Sequence, residues 1–148
     1  MRLRIGADHG GYTLKERIRE HLLAAGHEVA DAGTHGEEPV DYPAIALEVG
    51  RAVAAGDADR GILVCGTGIG MSIVANKVDG VRAANVTSIE FARLAREHND
   101  ANVLTLSGRF TDEATALAIV DAFLDAPFRG GRHGRRVAGI TDAEKRGA

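Results

Sequence analysis

Short apolar runs alternate along this chain with segments whose apolar residues recur every three or four positions, and that alternation leaves few architectures open. Leu3 to Ala7 is a short apolar run, and Leu14, Ile18 and Leu22 then repeat at helical spacing until Gly26 supplies a stop. His27 to Ala32 reads as a second strand. After a loop rich in glycine and acidic residues, Pro43 to Ala55 reads as a helix with its proline in the first turn. Gly61 to Cys65 is apolar on both faces, as a central parallel strand requires, and a short helix is expected from Met71. Val81 to Val86 makes a fourth strand, and Ser88 is placed to cap a helix through Asn99. Asn102 to Ser107 makes a fifth, followed by a helix from a Thr111 cap through Ala126, which Pro127 ends. Five strand-helix units with short joins predict an α/β fold, a three-layer Rossmann-like open parallel sheet in the order 2-1-3-4-5. A C-terminal basic tail or helix, Phe128 to Ala148, completes a single expected domain, residues 1–148.

Composition removes several function classes. Eighteen Lys and Arg against 21 Asp and Glu give a net charge of -3, the wrong sign for a nucleic-acid protein. Four Phe, two Tyr and no Trp leave few platforms for stacking bases or sugar faces. The one cysteine, Cys65, has no partner for an intrachain disulfide, and Asp8 and His9 interrupt the stretch where a signal peptide needs an apolar run. A cytoplasmic location is expected. The longest apolar stretch, Gly61 to Ala75, is interrupted by glycines and is shorter than the roughly 18 residues of a membrane helix, so no membrane span is expected.

Ligands of open parallel sheets bind beyond the carboxyl ends of the strands, which singles out the loops after strands one, three and five. After the first comes Gly6-Ala7-Asp8-His9-Gly10-Gly11, a carboxylate and an imidazole on a loop whose glycines let backbone approach a ligand; the alternative is a solvated Asp-His turn. After the third comes Cys65-Gly66-Thr67-Gly68-Ile69-Gly70, where glycine at every second position lets consecutive N–H groups converge on an anion. The spacing is not that of the dinucleotide fingerprint. Cys65 at the mouth of such a nest feels a field that favours a thiolate, although a cysteine ending an apolar strand also serves as core filler. His98-Asn99-Asp100 ends a helix on which Phe91, Leu94, Ala95 and His98 share one stripe, so His98 is either packed, capping or functional. Arg132-His133-Gly134-Arg135-Arg136 suits a phosphate or carboxylate, or else is a solvated charged face. Lys15, Arg17 and Arg19 with Glu16 and Glu20 read as solvated surface. His and Cys spacing gives no ligand set, so no metal is expected.

Together with Asp41-Tyr42-Pro43, Ala75-Asn76-Lys77, His98-Asn99-Asp100-Ala101-Asn102 and Gly130-Gly131-Arg132-His133, these motifs resemble the type B ribose-5-phosphate isomerase family, which includes galactose-6-phosphate isomerase subunits. The resemblance runs from about residue 3 to residue 140. It implies a metal-free, cofactor-free aldose-ketose isomerase of phosphorylated sugars that works through a cis-enediolate, as a homodimer or a pair of dimers. It further implies that Cys65 moves the proton between C1 and C2, that Thr67 hydrogen-bonds near it, and that the N–H groups of Gly66, Thr67, Gly68, Ile69 and Gly70 stabilise the enediolate oxygen. His98 matches the acid that opens the furanose ring, Asp8 lies beside the ring oxygen or hydroxyls, and Asn99 holds a hydroxyl. His9, Arg109, Arg132 and Arg136 match phosphate contacts, with Tyr42 and His133 as further substrate contacts. One branch of the family has a glutamate directly after the glycine loop in place of the cysteine; here that position is Met71, which leaves Cys65 as the base.

Ribose 5-phosphate is the expected substrate, with allose, galactose or tetrulose phosphates as alternatives of the same chemistry. A non-catalytic phosphate- or nucleotide-binding module is the competing class, disfavoured by the pairing of Cys65 with a helix-terminal histidine. Topology adds one expectation. Cys65 ends a strand, whereas His98 and Asn99 end a helix that leads into the next strand, so strands of five to six residues separate them by about 17 to 20 Å. If both act on one sugar, a two-fold dimer must build shared sites.

Overall fold

In the computed structural model, which describes residues 1–147, strands and helices alternate. The elements are β1 (Arg2–Ala7), α1 (Tyr12–Ala24), β2 (Glu28–Asp31), α2 (Tyr42–Ala54), β3 (Arg60–Cys65), α3 (Ile69–Ala75), β4 (Ala83–Asn85), α4 (Ile89–Asn99), β5 (Val103–Ser107), α5 (Glu113–Asp125) and α6 (Arg132–Gly147). Ala148, the last residue of the expected domain, lies outside the described residues. Each strand pairs in parallel with its neighbours, and helices cover both faces. The α/β, Rossmann-like expectation holds.

Side-chain alternation along β3 builds the two cores. Ile62 and Val64 join Leu14, Ile18 and Leu22 of α1, Ala92 and Ala95 of α4, and Ile119 and Phe123 of α5. Leu63 and Cys65 point the other way, to Ala46 and Val49 of α2 and Met71 and Ala75 of α3. The thiol of Cys65 therefore belongs to the α2/α3 face. Ser88 caps α4 by accepting from the Phe91 N–H at 3.2 Å, as its position predicts.

The strand order corrects the sequence expectation: it is 2-1-3-5-4, not 2-1-3-4-5. β5 lies between β3 and β4, with Cys65 opposite Ser107 and Asn85 opposite Thr105. All five β5 residues are buried, as a strand covered on both faces must be, while the three of β4 are not. β4 is also shorter than the expected Val81 to Val86. Asn76 occupies its backbone: Ala83 N–H donates to Asn76 Oδ1 at 2.8 Å, and Asn76 Nδ2 donates to the Ala83 carbonyl at 3.0 Å. Such blocking is how an edge strand avoids pairing with other strands.

Smaller corrections concern helix ends. α3 starts at Ile69 rather than Met71, and Asp112, not Thr111, caps α5 by accepting from Thr115 N–H at 3.0 Å. The basic tail is the helix α6, reached through Gly130 and Gly131, both at positive φ. On α4 the expected stripe packs only in part: Ala95 is buried, but Phe91 is 62% exposed, and the core side is Ala92, Ala95 and Arg96. Lys15, expected in solvent, is completely buried.

Candidate active site

The exchange of β4 and β5 has a direct effect on the loops at the carboxyl edge. With β5 beside β3, the turn after Ser107 lies against the loop after Cys65: Gly108 N–H donates to the Cys65 carbonyl at 2.7 Å, Arg109 N–H to that of Gly66 at 3.2 Å, and Ser107 Oγ to that of Gly66 at 2.7 Å. Arg109 is thereby laid along Gly66, where an added Cβ would meet its guanidinium carbon at 3.3 Å. On the other side, Asp8 N–H donates to the Val64 carbonyl at 3.2 Å, which fixes the β1 loop against β3.

These three loops and α2 enclose a cleft of about 460 Å³ lined by Asp8, His9, Gly10, Tyr42, Cys65, Gly66, Thr67, Ile69, Gly70, Ile73 and Arg109. Cys65 is buried at its floor, and Gly68 N–H donates to Sγ at 3.1 Å. Gly68 has φ +80, a conformation glycine adopts without strain, and this turn is what points its N–H back at the sulfur. Ile69 N–H is taken by Thr67 Oγ1 at 3.2 Å. Two of the five N–H groups of the expected nest are thus turned inward, one onto the thiol itself.

Asp8 is buried, and its Oδ1 accepts from Gly10 N–H at 2.9 Å. His9 is exposed, and its Nδ1 is 3.2 Å from the Val40 backbone nitrogen. Tyr42 opens α2 and covers Gly70, where a Cβ would meet its ring at 2.6 Å. Met71, beside the loop, is completely buried in the core.

A second cluster forms elsewhere. His98, in the last turn of α4, stacks on His133, with ring centroids 4.2 Å apart and planes 9° from parallel. His133 is buried; that burial first, and then His98, Arg132, Arg136 and Arg129, hold its proton affinity below the ordinary value. The arginines Arg129, Arg132 and Arg136 thus all act on the His133 ring. Glu97 answers part of this charge: it pairs with Arg93 at 2.7 Å and Arg129 at 2.9 Å, and its carboxyl is held below the usual range, chiefly by the Arg93 hydrogen bond. Asn99 faces two grooves beside β4, one shared with Phe91 and Leu94, the other with Ile140 of α6.

The predicted site residues therefore fall into two groups. Asp8, His9, Tyr42, Cys65, Gly66, Thr67, Gly68, Ile69, Gly70 and Arg109 come together around one cleft. His98, Asn99, Arg132, His133 and Arg136 do not line it. Gly10 and Ile73 are lining residues the sequence reading left out, although Gly10 lay within the loop motif and Ile73 lies one helical turn after Ile69. Among the described residues no helix is long and apolar enough to cross a membrane.

Comparisons with known proteins agree with this architecture. The Ribose/Galactose Isomerase family model matches residues 3–140. Ribose-5-phosphate isomerase B of Escherichia coli (strain K12) is 48% identical over 145 residues, which cover 98% of this chain and 97% of that protein. Among solved structures, ribose-5-phosphate isomerase B of Clostridium thermocellum superposes with a TM-score of 0.99 at 53% identity, covering 100% of both chains. That of Mycoplasma genitalium, with bound ribulose-5-phosphate, gives 0.93 at 47% identity and covers 97% of this chain and 96% of its own.

Proposed function

This chain belongs to the ribose/galactose isomerase family, and from that premise we propose that it interconverts ribose 5-phosphate and ribulose 5-phosphate, with Cys65 as the base. The observation that carries the assignment of the base is the cleft itself: a buried sulfur receiving a backbone N–H, with Asp8, Thr67 and Arg109 around the same space. A sulfur anion accepts that N–H more strongly than a thiol does. In the open-chain aldose the Cys65 thiolate takes the proton from C2, the C2 electrons form the C1–C2 double bond, and O1 gains a proton. Return of the proton from Cys65 to C1, as O2 loses its own, gives the ketose. The Gly66 and Thr67 N–H groups stabilise the oxygen on which negative charge develops, the kind of term that usually contributes most to such a step. Thr67 and Asp8 orient the hydroxyls, and His9, Tyr42 and Arg109 hold the sugar phosphate.

Ring opening needs an acid at the furanose oxygen, and His98 with Asn99 supplies it from a second copy of the chain. Two features support that reading. β5 rises about 13 Å between Val103, shortly after Asn99, and Ser107, opposite Cys65. The outward face beside β4 is also apolar and uncovered, with Ile89 50% and Phe91 62% exposed. In a two-fold dimer each site takes Cys65 from one subunit and His98, Asn99, His133, Arg132 and Arg136 from the other, the arginines gripping the phosphate. A single free thiol serving as a base fits the reducing cytoplasm.

The test is conversion of ribose 5-phosphate by the purified protein and by Cys65→Ala. The variant is expected to lose at least about 100-fold in kcat, the scale of a missing general base, with KM little changed. Turnover above about 10% of wild type would identify another base.

A further inference from the structure

Lys15 sits in a charged run on α1, yet its side chain is completely buried. Its Nζ lies 2.5 Å from Asp31 Oδ2 and 2.8 Å from Glu16 Oε1, with the Tyr12 ring 5.5 Å away. Removing an ammonium from water is costly, and apolar residues of equal volume often serve stability as well as a buried ion pair does. Stability alone therefore gives no reason for a lysine here, whereas the path of hydrogen bonds leading from it does.

Asp31 ends β2, and its Oδ1 accepts from Gly33 N–H at 2.8 Å. The backbone that follows is fastened to β1: Ala32 N–H donates to the Ile5 carbonyl at 2.8 Å, Ala7 N–H to that of Gly33 at 2.7 Å, and Thr34 N–H to that of Ala7 at 2.6 Å. Ala7 immediately precedes Asp8 and His9. At the far end of the same segment, Val40 N–H donates to His9 Nδ1 at 3.2 Å, two residues before Tyr42. An imidazole nitrogen that accepts a backbone N–H carries no proton, so the proton of neutral His9 is on Nε2, which is left as a donor.

We propose that Lys15 is a positioning residue of the cleft: by holding Asp31 it fixes the segment 31–40, and that segment presents His9 as an Nε2–H donor to the substrate. The inference rests on the reading of the cleft as a sugar-phosphate site. Lys15 touches no reacting atom; it acts through Asp31, the segment and His9.

A double-mutant cycle with ribose 5-phosphate tests it. Lys15→Met is expected to raise KM about tenfold while kcat changes by less than about threefold, because a displaced donor weakens the grip on substrate and leaves Cys65 in place. Made on top of His9→Ala, the same substitution is expected to raise KM less than about twofold, since the group it positions is gone. An unchanged KM in Lys15→Met, or two effects that multiply independently, would overturn the proposal. Asp31→Asn, which keeps an oxygen for the Gly33 N–H and removes the charge, is expected to give the same pattern should Lys15→Met fail to fold, and an unchanged KM there is equally contrary. In the wild-type protein, nitrogen-15 spectra of the histidine rings are expected to show His9 protonated at Nε2; a proton at Nδ1 breaks the link. If the wild-type protein turned over no ribose 5-phosphate, the functional reading would fall, and the His9 ring spectra compared between the wild-type and Lys15→Met proteins would still judge the proposal for Lys15: identical spectra would overturn it.

Discussion

The imidazoles of His98 and His133 lie face to face, and only one of them is buried. Burial is the main reason His133 holds its proton less readily than the ordinary 6.5, and His98, Arg132, Arg136 and Arg129 act in the same direction. With the folded-state value depressed, the stability tied to the neutral ring is fully present above the ordinary value. It is lost as pH falls through that value toward the lower folded one. His133→Phe keeps a flat ring on His98 and cannot take a proton. Between about pH 7 and pH 5.5, the Tm of the wild-type protein is therefore expected to fall further than that of His133→Phe. Parallel Tm curves would contradict this account of His133. Cys65 poses the complementary question: its place at the end of an apolar strand left core filler open, and the 3.1 Å contact from Gly68 N–H, together with its position on the cleft floor, favours chemistry.

Among the elements, β5 and α6 do most to position the candidate residues. β5 carries Ser107 and Arg109 to the Cys65 loop because it pairs with β3, and α6 carries Arg132, His133 and Arg136 to the end of α4 because two glycines at positive φ turn the chain. If the α6 arginines grip phosphate, Arg132→Ala or Arg136→Ala is expected to raise KM roughly tenfold or more, the scale of a lost charge-assisted bond, with kcat nearly unchanged. A change confined to kcat, or an unchanged KM in both variants, would return these residues to the solvated face. The elements themselves were legible because apolar spacing reports which side of a helix or strand is covered. Strand order was less so: Asn102 to Ser107 and Val81 to Val86 both read as strands, and only the full burial of Val103–Ser107 marks the first as interior. Lys15 was illegible for a related reason, since its partner Asp31 lies sixteen residues away on another element and nothing in the charge run marks one lysine as turned inward.

For the whole molecule, the fold holds two separate clusters, a thiol cleft and a cationic histidine pair, and the carboxyl-edge loops of the first were readable because an open parallel sheet sets where they converge. The second was readable as a motif, and its separation from the first follows from chain direction; in the shared-site proposal a second copy brings the two together. The central claim is that catalysis needs both halves from different subunits. Cys65→Ala and the double variant His98→Ala, Asn99→Ala are each expected to be nearly inactive. Unfolded together and refolded as an equal mixture, they pair at random, so that roughly half the dimers are mixed and each has one intact site. The account predicts recovery of up to roughly a quarter of wild-type activity; mixed dimers showing only the sum of the two residual activities would contradict it.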